Sequence, residues 1–139
     1  MNSAKHLSLR IFSAGLLGSA LSIVAPAIAS AQTVKPNEIG GVVSGAKGPE
    51  AGVWVIAETK DLPTKYVRIV ATDDQGRYLI PDLPKGNYSV WVRGYGLVDS
   101  PKQTTGLGKT VNLKSVAAPN DAAAAEYYPA VYWYSMVNI

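Results

Sequence analysis

Asp73 and Asp74 are adjacent, with Asp82 a short way on. Carboxylates grouped in this way can hold calcium or share a proton as an acid and base pair. Their spacing does not follow the D-x-D-x-D-G pattern of a calcium loop, and neighbouring side chains on a strand point to opposite faces. Asp73-Asp74-Gln75-Gly76 instead suits a hairpin turn, where Asp bonds nearby backbone and Gly takes left-handed geometry. Gly94-Tyr95-Gly96 is too short to cradle a phosphate, and no lysine with a helix start follows it. The 139 residues include no Cys and one histidine, His6. Disulfides, thiol nucleophiles, cysteine zinc sites and c-type haem attachment are thereby excluded. His6 lies in a segment read below as removed, so no triad or His-ligated metal is expected. The sequence assigns no catalytic residue, no metal ligand and no cofactor, and the expectation is a protein that is not an enzyme.

The remaining chemistry is aromatic. If Val53 and Val55 on one strand and Val90 and Val92 on another point inward, alternation sends Trp54, Ile56, Trp91 and Arg93 to an outer face. If the two strands are neighbours in one sheet, as the resemblance described below implies, the two indoles could lie side by side and stack on a sugar ring or pack against another domain. A helix or tail of the same chain could equally cover them. A second group, Tyr127, Tyr128, Tyr132, Trp133 and Tyr134, holds five of the 12 aromatic residues of the chain.

The elements that must position these residues begin after a leader. Lys5, His6 and Arg10 precede the apolar or small stretch Ile11 to Ala25, with Pro26 and then Ala29-Ser30-Ala31. This is the pattern of an export signal, with cleavage expected after Ala31. The apolar stretch is short against the roughly 20 residues of a spanning helix. Cleavage at that point leaves 108 of the 139 residues, with 11 Lys and Arg against 10 Asp and Glu. Scattered charges give no footprint for nucleic acid, and no membrane association is expected after cleavage. A secreted or periplasmic location follows.

After a short linker at 32–37, apolar alternation with a period of two recurs between turn signals about every 8 to 12 residues, as in an all-β sandwich. Strands are expected near Glu38 to Ser44, Ala51 to Thr59, Lys65 to Thr72, Arg77 to Ile80, Asn87 to Tyr95 and Lys109 to Lys114. Val53, Val55 and Ala57 should share one face. Val67, Ile69 and Ala71 should turn inward, as should Tyr78 with Ile80, and Tyr88 with Val90 and Val92. Val111 and Leu113 should share a face. The total is about seven strands over 38–115, followed by a helical, aromatic tail over 116–139. In that tail Asn120 or Asp121 can cap a short helix through Ala122 to Tyr128, and Pro129 can open another.

The series Gly41-Val42-Val43, Gly45, Gly48-Pro49, Ala51-Gly52-Val53-Trp54-Val55, Thr72-Asp73-Asp74-Gln75-Gly76-Arg77-Tyr78, Leu83-Pro84-Lys85-Gly86-Asn87-Tyr88 and Gly94-Tyr95 resembles the carboxypeptidase regulatory-like domain. The resemblance covers roughly Asn37 to Val98. It implies a transthyretin-like (Ig-like) β-sandwich, placed with carbohydrate-binding-like folds, and an exported accessory module. It implies no peptidase activity, because in that family the zinc ligands lie in a separate catalytic domain.

Two functions remain open. One is a non-catalytic exported module that binds a carbohydrate or cell-wall polymer, or assembles with a partner, through Trp54, Trp91 and the aromatic tail. The other is an accessory domain of an extracytoplasmic redox (c-type haem) or lyase enzyme whose catalytic part lies elsewhere. In that case the tail from Tyr127 would dock on a partner domain or subunit.

Overall fold

A computed structural model describes residues 32–127; residues 1–31, with the expected export signal, and the expected tail from Tyr128 onward lie outside the described residues. The strands in chain order are β1 (Ile39–Gly45), β2 (Gly48–Pro49), β3 (Trp54–Thr59), β4 (Tyr66–Ala71), β5 (Arg77–Ile80), β6 (Tyr88–Arg93), β7 (Leu97–Val98), β8 (Gln103–Thr105), β9 (Lys109–Thr110), β10 (Leu113–Lys114) and β11 (Val116–Ala117). One helix, α1 (Asp121–Tyr127), follows. The class is all-β, as expected, but there are eleven described strands where about seven were expected. Five of them are only two residues long, because Gly and Pro keep interrupting the ladders.

One sheet is organised by β1. It pairs antiparallel with β5 and β2, and parallel with β9 and β10. The other sheet is antiparallel in the order β4-β3-β6-β8, and β7 pairs with β11 in a small ribbon. Ile39, Val43, Tyr78, Ile80, Val111 and Leu113 of the first sheet face Val53, Val55, Ala57, Tyr88, Val90 and Val92 of the second, and all are buried in one core. Each expected inward face therefore holds, apart from that of β4.

The expected strand Lys109 to Lys114 is split between β9 and β10. Gly41 sits opposite Tyr78 on β1, and a Cβ there would lie 2.0 Å from the Val111 carbonyl oxygen. Only glycine allows that approach. The carbonyl accepts a 2.7 Å hydrogen bond from the buried Tyr78 hydroxyl, while Asn112 Oδ1 accepts from the Val42 N–H. Side chains here replace two rungs of the ladder.

On β4 the expectation of Val67, Ile69 and Ala71 inward is wrong. Val67 is 41% and Ile69 52% exposed, whereas Tyr66 and Val70 pack against the core. The apolar residues of Tyr66–Ala71 fall in both phases, so alternation does not choose between them. The choice is made by pairing, Val55 with Val70 and Ile56 with Ile69. Thr72 pins that register: its Oγ1 accepts from the Val53 N–H at 3.1 Å and donates to the Glu50 carbonyl at 2.6 Å. A shift by one residue would exchange the two faces.

Candidate functional site

The turn reading of Asp73 is realised in full. Its Oδ1 accepts from the N–H groups of Gln75 (2.9 Å) and Arg77 (2.8 Å), and its Oδ2 from Arg77 Nε (2.7 Å). Burial works against its charge, but the Arg77 N–H and guanidinium with the Gln75 N–H outweigh it and hold the carboxyl below its usual range. Gly76 takes φ +71° in the same turn. Asp82, at φ 53°, accepts from Asn37 Nδ2 at 3.2 Å. Among the described residues no three His, Asp or Glu side chains converge on a metal-sized space.

The outward side of the β4-β3-β6-β8 sheet carries Trp54, Ile56 and Glu58 from β3 and Arg93, Trp91 and Ser89 from β6. The register places Trp54 opposite Arg93, Ile56 opposite Trp91 and Glu58 opposite Ser89. Trp54 and Trp91 thus share the face, but as diagonal neighbours and not side by side. An open platform of two indoles does not form. Trp91 is 5% and Ile56 3% exposed, and Trp54 is half-buried and not without a partner. Lys102 lays its ammonium over the Trp91 ring, 3.9 Å from the centroid. The indole Nε1 is buried without a hydrogen-bond partner.

Arg93 is occupied as well. Its Nε and Nη2 each donate at 2.7 Å to the two oxygens of Asp99, the bidentate geometry that suits a guanidinium. That pairing, with a smaller contribution from the Tyr127 phenol, holds its pKa above the usual value. Tyr127 ends a helix whose first turn is capped by Asn120 Oδ1 accepting from the Ala123 N–H at 2.9 Å. Tyr128, Tyr132, Trp133 and Tyr134 lie outside the described residues.

At the other end of the same face a polar cleft of about 610 Å³ opens, formed by residues that the sequence reading did not select. Glu58 lies at its centre, between Lys65 Nζ at 3.2 Å and Lys102 Nζ at 3.6 Å. The hydrogen bond from Lys65 holds the Glu58 carboxyl below its usual range; partial burial opposes this, and Lys102 adds to it. Lys60, Asn87, Ser89 and Thr104 complete the walls. Asp61, on the rim, is engaged by the N–H and the side-chain amide of Asn87 at 2.8 and 3.2 Å. Glu58 follows Trp54 and Ile56 in the outward phase of β3, so its place on the face was readable. Lys65 arrives across the β3–β4 hairpin and Lys102 from the segment before β8, and which strands pair decides that both meet Glu58.

No protein-family model matches the chain, and no curated protein matches it. Solved structures are similar. An ancillary pilin of Streptococcus is matched at 14% identity and TM-score 0.48, over 63% of this chain and 31% of the pilin. The Bacillus anthracis TIE protein is matched at 22% identity and TM-score 0.43, over 59% of this chain and 16% of that protein. A candidate carbohydrate binding protein of Pseudomonas aeruginosa is matched at 19% identity and TM-score 0.38, over 62% of this chain and 92% of that one. The chain therefore spans less than a third of the pilin and less than a fifth of the TIE protein. Likeness at this level concerns the arrangement of strands alone.

Proposed function

We propose that this is an exported, non-catalytic β-sandwich module that binds a carbohydrate or cell-wall polymer through the cleft around Glu58. The observation that supports this reading is the composition of the cleft. Hydroxyls of Ser89 and Thr104, the Asn87 amide, three lysines and two carboxylates line a single concavity. Such a set can donate to and accept from sugar hydroxyls. Lys60, Lys65 and Lys102 outnumber Glu58 and Asp61 there, so an acidic glycan is favoured over a neutral one. The export signal and the resemblance to carboxypeptidase regulatory-like domains support the same reading.

The test is calorimetric titration of the purified chain with a polygalacturonate oligomer and, separately, with a neutral maltooligosaccharide. The acidic oligomer should bind more tightly and lose affinity with salt, and Lys65→Ala with Lys102→Ala should weaken it several-fold. Equal binding by wild type and the double variant would remove the cleft from consideration, and no binding to either glycan would remove the carbohydrate reading.

A further inference from the structure

A different observation concerns the free edge of the β4-β3-β6-β8 sheet. β4 ends that sheet, and its residues pair with β3 in one unbroken register, from Trp54 with Ala71 to Thr59 with Tyr66. The Thr72 N–H donates to the Val53 carbonyl, and bonding alternates along an antiparallel ladder. Tyr66, Arg68 and Val70 therefore turn their backbone groups toward β3, while Val67, Ile69 and Ala71 turn theirs to the free edge. Among the described residues no strand takes up those groups, and all three residues are exposed. The opposite edge strand, β8, is short and follows Pro101 and Lys102, features that blunt an edge. β4 has neither proline nor bulge. We propose that β4 is the interface for a second copy of this chain, the two β4 strands running antiparallel with Ile69 opposite Ile69 at a two-fold axis.

Three features favour a second copy over an unrelated strand. The free edge is self-complementary. Residues directly opposite in an antiparallel pair share a face, and the register centred on Ile69 matches every edge-facing residue with another: Ile69 with Ile69, and Val67 with Ala71 in both directions. About six backbone bonds form in this way. Charge selects the same register. Arg68 is the only charged residue of β4, and pairing centred on it would set two guanidinium groups opposite each other. Centred on Ile69, the pairing sets Arg68 against Val70 of the other copy and brings Lys65 to the other copy's Asp73-Asp74 turn, at both ends of the ribbon. The Lys65 and Asp73 side chains are 71% and 41% exposed and so within reach. The apolar surface agrees as well, because Val67 and Ile69 are exposed and the pairing shields them with their own counterparts. The joined sheet carries both Glu58 clefts on one face, since Glu58 lies opposite Val67, roughly 20 Å apart by strand spacing and rise. One polymer strand held at both points would bind more tightly than at one; that consequence rests on the carbohydrate reading, whereas the pairing does not.

The experiment exploits the lack of cysteine in the chain. Ile69→Cys in the purified chain sets two thiols opposite each other at the axis, where Cα atoms of a hydrogen-bonded pair lie about 5.5 Å apart, within the span of a disulfide. Val67→Cys sets its thiols four residues apart along the strands, about 14 Å, which is out of reach. Ile69→Cys should therefore oxidise to a covalent dimer several-fold faster than Val67→Cys, at a rate that rises with protein concentration. Equal rates, or faster linking through position 67, would overturn the proposal. Sedimentation equilibrium of the unaltered chain is the second readout. It should show a monomer–dimer equilibrium that Ile69→Lys weakens several-fold, by opposing two ammonium groups at the axis, and that Val42→Lys on the other sheet leaves alone. A chain that stays monomeric at every concentration would overturn the proposal and leave the edge to a strand of another protein. A dimer indifferent to Ile69→Lys would overturn it by placing the contact elsewhere. Neither readout involves a glycan, so failure here leaves the carbohydrate reading of the cleft standing.

Discussion

The ammonium of Lys102 stands 3.9 Å from the centre of the Trp91 ring while reaching to within 3.6 Å of Glu58. One flexible side chain thus joins the sealed aromatic middle of the outer face to the polar cleft at its end. Its stem shields indole surface and its charge serves the carboxylate. Because the lysine is half exposed, both electrostatic contributions are modest.

Lys102→Ala should therefore cost about 0.5–1 kcal/mol in urea unfolding, with tryptophan emission shifted to longer wavelength. Lys102→Met, which keeps the stem, should restore the emission but not the salt dependence. If the alanine variant emits like the wild type, the lysine does not shield the ring.

Trp91 carries a buried N–H with no partner, so it retains a desolvation cost that phenylalanine would not have. Trp91→Ala should lose about 3–5 kcal/mol. Trp91→Phe should lose far less, about 1–2 kcal/mol, because the smaller ring also removes the unpaired donor. Equal losses for the two variants would show that the N–H is satisfied in solution.

Burial raises the pKa of the Tyr78 phenol well above its ordinary value, and its proton is committed to Val111. A raised folded-state pKa means that this group's contribution is complete below the unfolded value, near pH 10, and is lost as pH rises beyond it. The melting temperature should accordingly fall from about pH 10 upward. Tyr78→Phe should cost about 1–2 kcal/mol at neutral pH, since the Val111 carbonyl is left unpaired, but should show a shallower alkaline decline. Tyr88, whose pKa burial also raises, would account for the slope that remains. An unchanged alkaline slope in the variant would contradict the buried, protonated phenol.

The phase of β4 can be tested by a pair of substitutions one residue apart. Ile69→Lys should change stability by no more than about 0.5 kcal/mol, whereas Val70→Lys should cost several kcal/mol by pushing a charge toward the core. The reverse order in denaturant melts would restore the inward placement of Ile69.

For β3, β5 and β6 the strand positions and inward faces could be read from the sequence, since Val53, Val55 and Ala57, then Tyr78 and Ile80, then Tyr88, Val90 and Val92 alternate with a period of two and are buried together, while Trp54, Ile56, Leu79 and Trp91 take the other phase. The Asp73 turn was equally readable, since its bonds close within four residues. These are local determinants, and the sequence by itself settled them together with the all-β class. Tertiary structure decided what depends on partners far along the chain. β4 offers apolar residues in both phases, so only its register with β3 could orient it. Strand pairing placed Trp54 against Arg93 and Trp91 against Ile56, which alternation within each strand cannot specify. The Glu58 cleft needed Lys102, forty-four residues along the chain, brought beside the β3–β4 hairpin that carries Glu58 and Lys65. Registers are set by long-range pairing, which a period of two along one strand does not encode.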